Sequence, residues 1–209
     1  MIPKILIQST RNNIPDHIQD MIRKQLTSEW EYHAFNDEQS IQFFKDNPLD
    51  EFPNIADVFN SFTGAHKSDL FRYYFTYING GVFIDDDAMV YIPLDKIIND
   101  CSAFFVVAFQ HGDHQLFNGF YGVEPGNKII YECLKHAYKT KPHKLSTGDK
   151  DPKKYLYFTR VGYLIYEKYK SQYKIKEFVD VCKPDMLYSY LEDNGVFFKH
   201  FYINKEIFE

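Results

Sequence analysis

The sequence predicts a single α/β domain, a mixed sheet flanked by helices. Three observations carry that expectation. Strand-like and helix-like patterns alternate from the N-terminus. The run Ala103-Phe104-Phe105-Val106-Val107-Ala108-Phe109 is apolar without interruption, as a strand buried on both faces must be. A chain of 209 residues is long enough for one substantial core and shows neither an internal repeat nor a second domain boundary.

The elements follow in order. Lys4 to Gln8 is a short apolar run introduced by Pro3 and reads as a strand. Pro15 to Leu26 places Ile18, Met21, Ile22 and Leu26 at helical intervals, and Glu29 to Phe35 alternates Trp30, Tyr32 and Ala34 with Glu31 and His33, which completes a β-α-β opening. Asn36, with Gln39 three residues on, caps a second helix carrying Ile41, Phe43 and Phe44, which Pro48 stops. Thr63 to Asn79 is the longest helical pattern, and Asn79-Gly80-Gly81 supplies residues that tolerate a left-handed cap. Val82-Phe83-Ile84 is the strand that follows, Asp85-Asp86-Asp87 interrupts it, and Ala88 to Tyr91 resumes an extended segment. Ala103 to Phe109 is expected at the centre of the sheet. Leu116 to Gly122 and Ile175 to Cys182 are further strands, with helices at Asn127 to Tyr138 and Tyr155 to Tyr169. Lys139 to Lys154 holds six lysines, two prolines and no apolar periodicity, so it is expected as a loop, either a mobile lid or an insertion.

Composition narrows the partners. With 24 Lys and Arg against 29 Asp and Glu the formal charge is −5, which leaves no broad cationic surface for a nucleic-acid backbone or an anionic membrane. Cys101, Cys133 and Cys182 are odd in number and far apart, as free thiols of a reducing compartment would be. The opening apolar run is too short for a signal peptide, and no stretch of about 18 apolar residues could span a bilayer. The expectation is a soluble, cytoplasmic chain. Its 20 Phe and 17 Tyr would suit a sugar-binding cleft, but a biased composition gives the same count.

The chemistry concentrates in one block. Three consecutive aspartates where a strand leaves the core raise one another's pKa unless a cation neutralises them. In an extended segment Asp85 and Asp87 point to one side and Asp86 to the other, so two carboxylates converge on one hard cation, although solvated acidic turns share this spelling. In the preceding helix Asp69 and Arg72 share a face, as a site pair or as a surface ion pair. That helix delivers the chain through Gly80-Gly81 directly into the aspartates.

Ser68-Asp69-x-x-Arg72 followed by Tyr77-x-x-Gly80-Gly81-Val82-Phe83-x-Asp85-x-Asp87 resembles the DXD sugar-binding region of the family 32 glycosyltransferases, which include yeast mannosyltransferase relatives, and more distantly the clostridial glucosylating toxins. Ile2-Pro3-Lys4-Ile5 is similar to the first strand of that family, so the resemblance spans roughly residues 1 to 95. It implies a GT-A fold over one domain, residues 1–209. It also implies a metal-dependent hexosyltransferase that takes sugar from a UDP- or GDP-linked donor to a glycan or protein acceptor with retention.

Carried over by residue, Asp87 would bind Mn²⁺ or Mg²⁺, and Asp85 would hold the donor and a metal-bound water. Asp69 and Arg72 would hold the donor's hydroxyls and diphosphate. Ile7, Gln8, Ser9 and Asp86 would contribute to the donor site, and Asn118-Gly119 would lie near the sugar. His200, in Phe198-Lys199-His200-Phe201, would be a third protein ligand, or else a strand histidine with an ordinary hydrogen bond. The chain departs from the family in having Ile7-Gln8-Ser9-Thr10 where an aromatic platform for the base is usual. Two other readings use the same residues: a non-catalytic module that binds nucleotide sugar or glycan, and a metal-dependent phosphohydrolase.

Overall fold

The structure, a computed structural model, describes residues 1–201 other than 12, 15, 111, 147–150, 182–187 and 194; residues 202–209, and the side chains of 17 and 152, lie outside the description. Its elements run β1 (Ile5–Ser9), α1 (Asp16–Arg23), β2 (Glu31–Phe35), α2 (Asp37–Asp46), α3 (Ile55–Ser61), α4 (Ala65–Asn79), β3 (Gly81–Ile84) and β4 (Ala88–Val90). There follow α5 (Leu94–Ile98), β5 (Ala103–Gln110), β6 (Asp113–Val123), α6 (Lys128–Lys139), α7 (Pro152–Tyr155), α8 (Tyr157–Tyr169), β7 (Ile175–Val179), β8 (Tyr188–Glu192) and β9 (Val196–Phe201).

A six-stranded mixed sheet has the order β2-β1-β3-β6-β5-β7, and a second, three-stranded sheet has the order β4-β9-β8. The central strands are apolar on both faces because both are covered. On one side α4, α6 and α8 bury Phe71, Tyr74, Ile130, Leu134 and Tyr166 against Phe83, Phe105 and Tyr121. On the other, Val82, Ile84, Phe104, Val106 and Phe120 pack against Met89, Leu191 and Phe198 of the small sheet. In α4 Leu70, Phe71, Tyr73, Tyr74 and Phe75 are all buried, so this helix is enclosed nearly all round instead of showing one apolar stripe.

Local signals explain most boundaries. Asn36 and Gln39 form a reciprocal capping box on α2, and the Asn127 side chain accepts from the Ile129 and Ile130 amides at the start of α6. At the turn after α4, Gly80 and Gly81 adopt φ 67° and 104°, and a Cβ on Gly81 would stand 2.7 Å from the backbone oxygen of Ile5.

The structure corrects several expectations. The apolar run Ala103–Phe109 lies second from the sheet edge, between β6 and β7, not at its centre, and its last residue emerges from the core. Ala88–Val90 does not continue β3 but enters the small sheet, pairing with β9. The strand expected to reach Cys182 ends at Val179; Val181 makes one bridge to Tyr190, and Cys182 lies outside the described residues. Cys101 and Cys133 are free and buried. The presumed loop Lys139–Lys154 contains the end of α6, a 3-10 turn at Pro142–Lys144 and the start of α7; its residues 147–150 are outside the description. Among the described residues no helix is long and apolar enough to cross a membrane.

The tight reversal into β3 makes a test. Gly81→Ala imposes both a left-handed φ and a backbone overlap, which together should cost about 2–4 kcal/mol. Calorimetric melting should fall by roughly 4–16 °C. An unchanged melting temperature would mean that this close approach of β1 and β3 does not exist.

Candidate functional site

Asp69, Arg72 and Asp85 meet because α4 and β3 run back on each other through Gly80-Gly81. Eight helical residues from Arg72 to Gly80 span ~12 Å. Four strand residues from Gly81 to Asp85 span ~13 Å, so the two side chains end level. The parallel pairing of β1 with β3 brings Ser9 to the same end. The antiparallel register of β3 with β6 sets Gly119 beside Asp85, whose amide donates to the Gly119 carbonyl at 2.8 Å. A Cβ on Gly119 would overlap the Asp85 carboxylate, so glycine there is what lets the acidic turn sit against the sheet.

Arg72 is the hub. Its Nη1 donates to the Asn118 carbonyl at 2.5 Å and its Nη2 to Ser68 Oγ at 2.7 Å. Nη2 also lies 3.0 Å from Asp85 Oδ1, and Nε lies 3.6 Å from Asp69 Oδ1. The guanidinium carbon stands 4.0 Å over the Phe83 ring. Only 3% of the residue is exposed. Burial acts to lower its pKa, but Asp85 and Asp69 outweigh that and hold it above the ordinary arginine value. Asp69 accepts from Asn118 Nδ2 at 2.6 Å, and Nδ1 of the buried His66 stands 3.5 Å from its Oδ2.

The aspartates do not form the extended segment expected. They occupy a turn, in which the Ala88 amide donates to the Asp85 carbonyl at 3.2 Å. Asp85 and Asp87 nonetheless converge, and β9, paired to β4 with His200 opposite Ala88, adds an imidazole. His200 Nε2 lies 3.1 Å from Asp87 Oδ1 and 4.0 Å from Asp85 Oδ2. Ligand atoms of Asp85, Asp87 and His200 all fall within 4.8 Å of one another. Burial pushes the Asp85 carboxyl up, Arg72 pulls it back, and Asp87 and Asp86 push it up again, with a net rise. Burial alone would lower His200, but its hydrogen bond to Asp87 and the charges of Asp87, Asp85 and Asp180 raise it. Two acidic groups pressed together and a histidine drawn toward its charged form are what a divalent cation would relieve, and oxygen, oxygen and nitrogen form a donor set that fits one.

These groups line a cleft of about 1220 Å³ at the carboxyl ends of β1 and β3. Of the residues singled out in the sequence, Ser9, Asp69, Arg72, Asp85, Asp86, Asp87, Asn118 and His200 line it. Three sit elsewhere. The Ile7 side chain is fully buried in the core between the sheet and α4, so it cannot face a ligand. Gln8 is equally buried; it donates to the Asp85 carbonyl at 3.2 Å and accepts from Tyr32 Oη at 2.6 Å, fixing the turn from behind. Gly119 lies against Asp85.

Sequence reading missed His66, although it lies one helical turn before Asp69, and it missed Tyr155, Thr159 and, of the β5–β6 wall, all but Asn118 and Gly119, because these stand far from the acidic turn in the chain. Ser68, within the quoted motif, places its hydroxyl 2.5 Å from Ser9 Oγ. Tyr155 lines the cleft with its ring centroid 5.9 Å from that of His66, and burial, then Asp69 and Asp85, raise its pKa.

The fold and this site together define a GT-A arrangement, and comparison with known proteins narrows it. Residues 7–103 match the model of the glycosyltransferase sugar-binding region containing DXD motif, and that match includes the block from Ser68 to Asp87 in which the resemblance was read. Among solved structures, the chain is similar to PaToxG Glycosyltransferase at 14% identity and TM-score 0.52, over 81% of this chain and 71% of that one. At that identity the likeness establishes the fold alone. A protein of STIV is similar at 9% identity over 98% of this chain and 97% of that one, with a TM-score of 0.34, too low to carry an argument. No curated protein matches.

The burial of Arg72 changes what its removal should do. The sequence alone suggests a donor-binding residue whose loss would spare the fold. With Asp69 and Asp85 left as uncompensated buried charges, Arg72→Ala should cost about 3–5 kcal/mol. Denaturant titration should register this, with Arg72→Lys recovering part of the loss. A variant as stable as the parent would mean the guanidinium is not the counter-charge of this cleft.

Proposed function

We propose that the whole chain, residues 1–209, works as one domain and is a metal-dependent glycosyltransferase. It would move a hexosyl group from a UDP- or GDP-linked donor to a hydroxyl acceptor with retention of configuration. The observation that carries the reading is the convergence of Asp85, Asp87 and His200 beside Asp69, Ser9 and Ser68 in one cleft. Asp85, Asp87 and His200 would hold Mn²⁺ or Mg²⁺, and a set of two carboxylates with one imidazole suits Mn²⁺ better, since Mg²⁺ prefers all-oxygen ligands. When bound, such an ion supplies Lewis-acid stabilisation of the charge developing on the leaving diphosphate.

The remaining work belongs to side chains. Asp69, held in place by Asn118 and with His66 alongside, offers a fixed acceptor to the donor's sugar hydroxyls. Ser9 and Ser68 supply hydroxyls beside it. Arg72, beneath both carboxylates, opposes the protonation that burial favours in Asp85. In the transfer the bond from the anomeric carbon to the diphosphate oxygen breaks, and its electron pair stays on that oxygen. The acceptor oxygen bonds the anomeric carbon from the same face, and its proton passes to the departing phosphate. This route requires no protein nucleophile, which accords with Asp69 and Asp85 being engaged by Asn118 and Arg72.

Calorimetry of Mn²⁺ with UDP and with GDP tests the site. Asp87→Asn should weaken metal-dependent nucleotide binding by about tenfold or more, the loss of one charged ligand being worth at least 1.4 kcal/mol. Metal-dependent affinity that survives in that variant would remove Asp87 from the metal site and with it this reading of the acidic turn.

A further inference from the structure

We propose that the cleft wall built by β5, β6 and the start of α8 is a subsite for a neutral sugar, the acceptor of the transfer; this rests on the glycosyltransferase reading. The two sides of the cleft differ in charge. At the β1 and α2 side the lining includes Arg11, Asp37 and Lys67, and the floor carries Asp69, Arg72 and the acidic turn. Among the described residues of the β5, β6 and α8 wall, none of the side chains lining the cleft is charged. Asp113 and Arg160 of these elements pair with each other at 2.7 Å and are not part of the lining. A nucleoside diphosphate and its metal belong with the charges. The uncharged wall suits a ligand without charge.

The chemistry of that wall is specific. Phe109 is 64% exposed, on a strand whose Phe104, Phe105 and Val106 are fully buried. Its ring is not loose: it packs edge-on against His114 with centroids 5.0 Å apart, and His114 stacks on Tyr163 at 5.1 Å and 18°. A rigid aromatic ring is thus held open at the cleft. The same wall carries neutral hydrogen-bonding groups. Gln115, only 3% exposed, donates to the Gln110 carbonyl at 3.2 Å and accepts from Thr159 Oγ1 at 3.0 Å, and that hydroxyl is also 2.9 Å from the Leu156 carbonyl, which fixes an amide and a hydroxyl in the lining that Phe109 shares.

A pyranose has one face of C–H groups and a rim of hydroxyls, and this pairing of aromatic plane with amide and hydroxyl complements both. The size agrees as well, since a cleft of about 1220 Å³ exceeds the roughly 300–1,000 Å³ that one ligand of drug size occupies. A protein acceptor would instead need a contact of about 800 Å² on its own side, far more than one ring in a concave wall presents.

Saturation-transfer NMR with methyl α- and β-glycosides of glucose, galactose and mannose, in the presence of Mn²⁺ and UDP or GDP, tests this on the full chain. At least one glycoside should receive saturation, and Phe109→Ala should weaken its binding about tenfold while nucleotide affinity stays the same. Phe109→Trp should retain binding. Because Phe109 is exposed, its truncation leaves the core intact. Glycoside binding that is indifferent to Phe109→Ala, or no glycoside binding while nucleotide is bound, overturns the subsite and favours a protein or other acceptor. Failure of the parent chain to bind either nucleotide sinks the glycosyltransferase reading itself, and the glycoside arm, repeated without nucleotide, then decides the subsite alone.

Discussion

Arg72 carries its charge at a depth where water does not compensate it, and the cleft is organised around that fact. A lone guanidinium there would be prohibitively unstable, and so would Asp69 or Asp85 with the arginine gone. Together they satisfy one another, with the Asn118 carbonyl and Ser68 hydroxyl taking further N–H groups. The fork geometry does what a lysine could not: Nη1 reaches β6 while Nη2 reaches both α4 and the turn after β3, so a single side chain ties a helix, a strand and the acidic turn into one unit. Structural and chemical roles are therefore inseparable at this residue.

The acidic turn is the complementary problem. Arg72 reaches Asp85 through Oδ1, while the opposite oxygen faces His200, so one carboxylate is shared between a permanent cation below and a titratable one beside it. Burial first, and then the neighbouring aspartates, raise the Asp85 carboxyl, while the hydrogen bond to Asp87 and the surrounding carboxylates raise His200 against its own burial. In the protein alone, protonation relieves the strain. A divalent ion would do the same without occupying an oxygen with a proton, which makes this geometry a candidate cation site.

Much of this was legible in the chain because it rests on local rules. Capping by Asn36 and Gln39, the Gly80-Gly81 reversal and the helical spacing of Asp69 and Arg72 are each decided within a few residues, and all are found as read. What escaped depends on long-range pairing. Nothing near Ala88 says that it will leave the main sheet to meet a strand more than a hundred residues on, and β8, whose Leu191 is buried against the main sheet only once β8 has paired with β9, has no independent signal. Short α3 and α5 lack the length for a clear period. Ile7 was misplaced for a different reason: alternation sets Ile7 and Ser9 on the same side of β1, so position along the strand decides, with Ile7 enclosed in the core and Ser9, the last residue of the strand, reaching the cleft.

Alternation also explains why one cleft can have two chemically different walls. On β5, Phe105, Val107 and Phe109 share a face, and the first lies fully buried in the core against Tyr166 of α8. Phe109 continues the same row past the place where that helix covers the sheet, so its apolar character is inherited from the core-facing row while its exposure comes from running out of cover. On the other side, β1 ends in Gln8 and Ser9 and the acidic turn follows β3, because parallel strands bring their carboxyl ends, and the polar residues that terminate them, to one edge. The contrast between a charged end and an aromatic, amide-lined end is thus a consequence of sheet topology, with parallel strands opening the cleft and an antiparallel hairpin closing it.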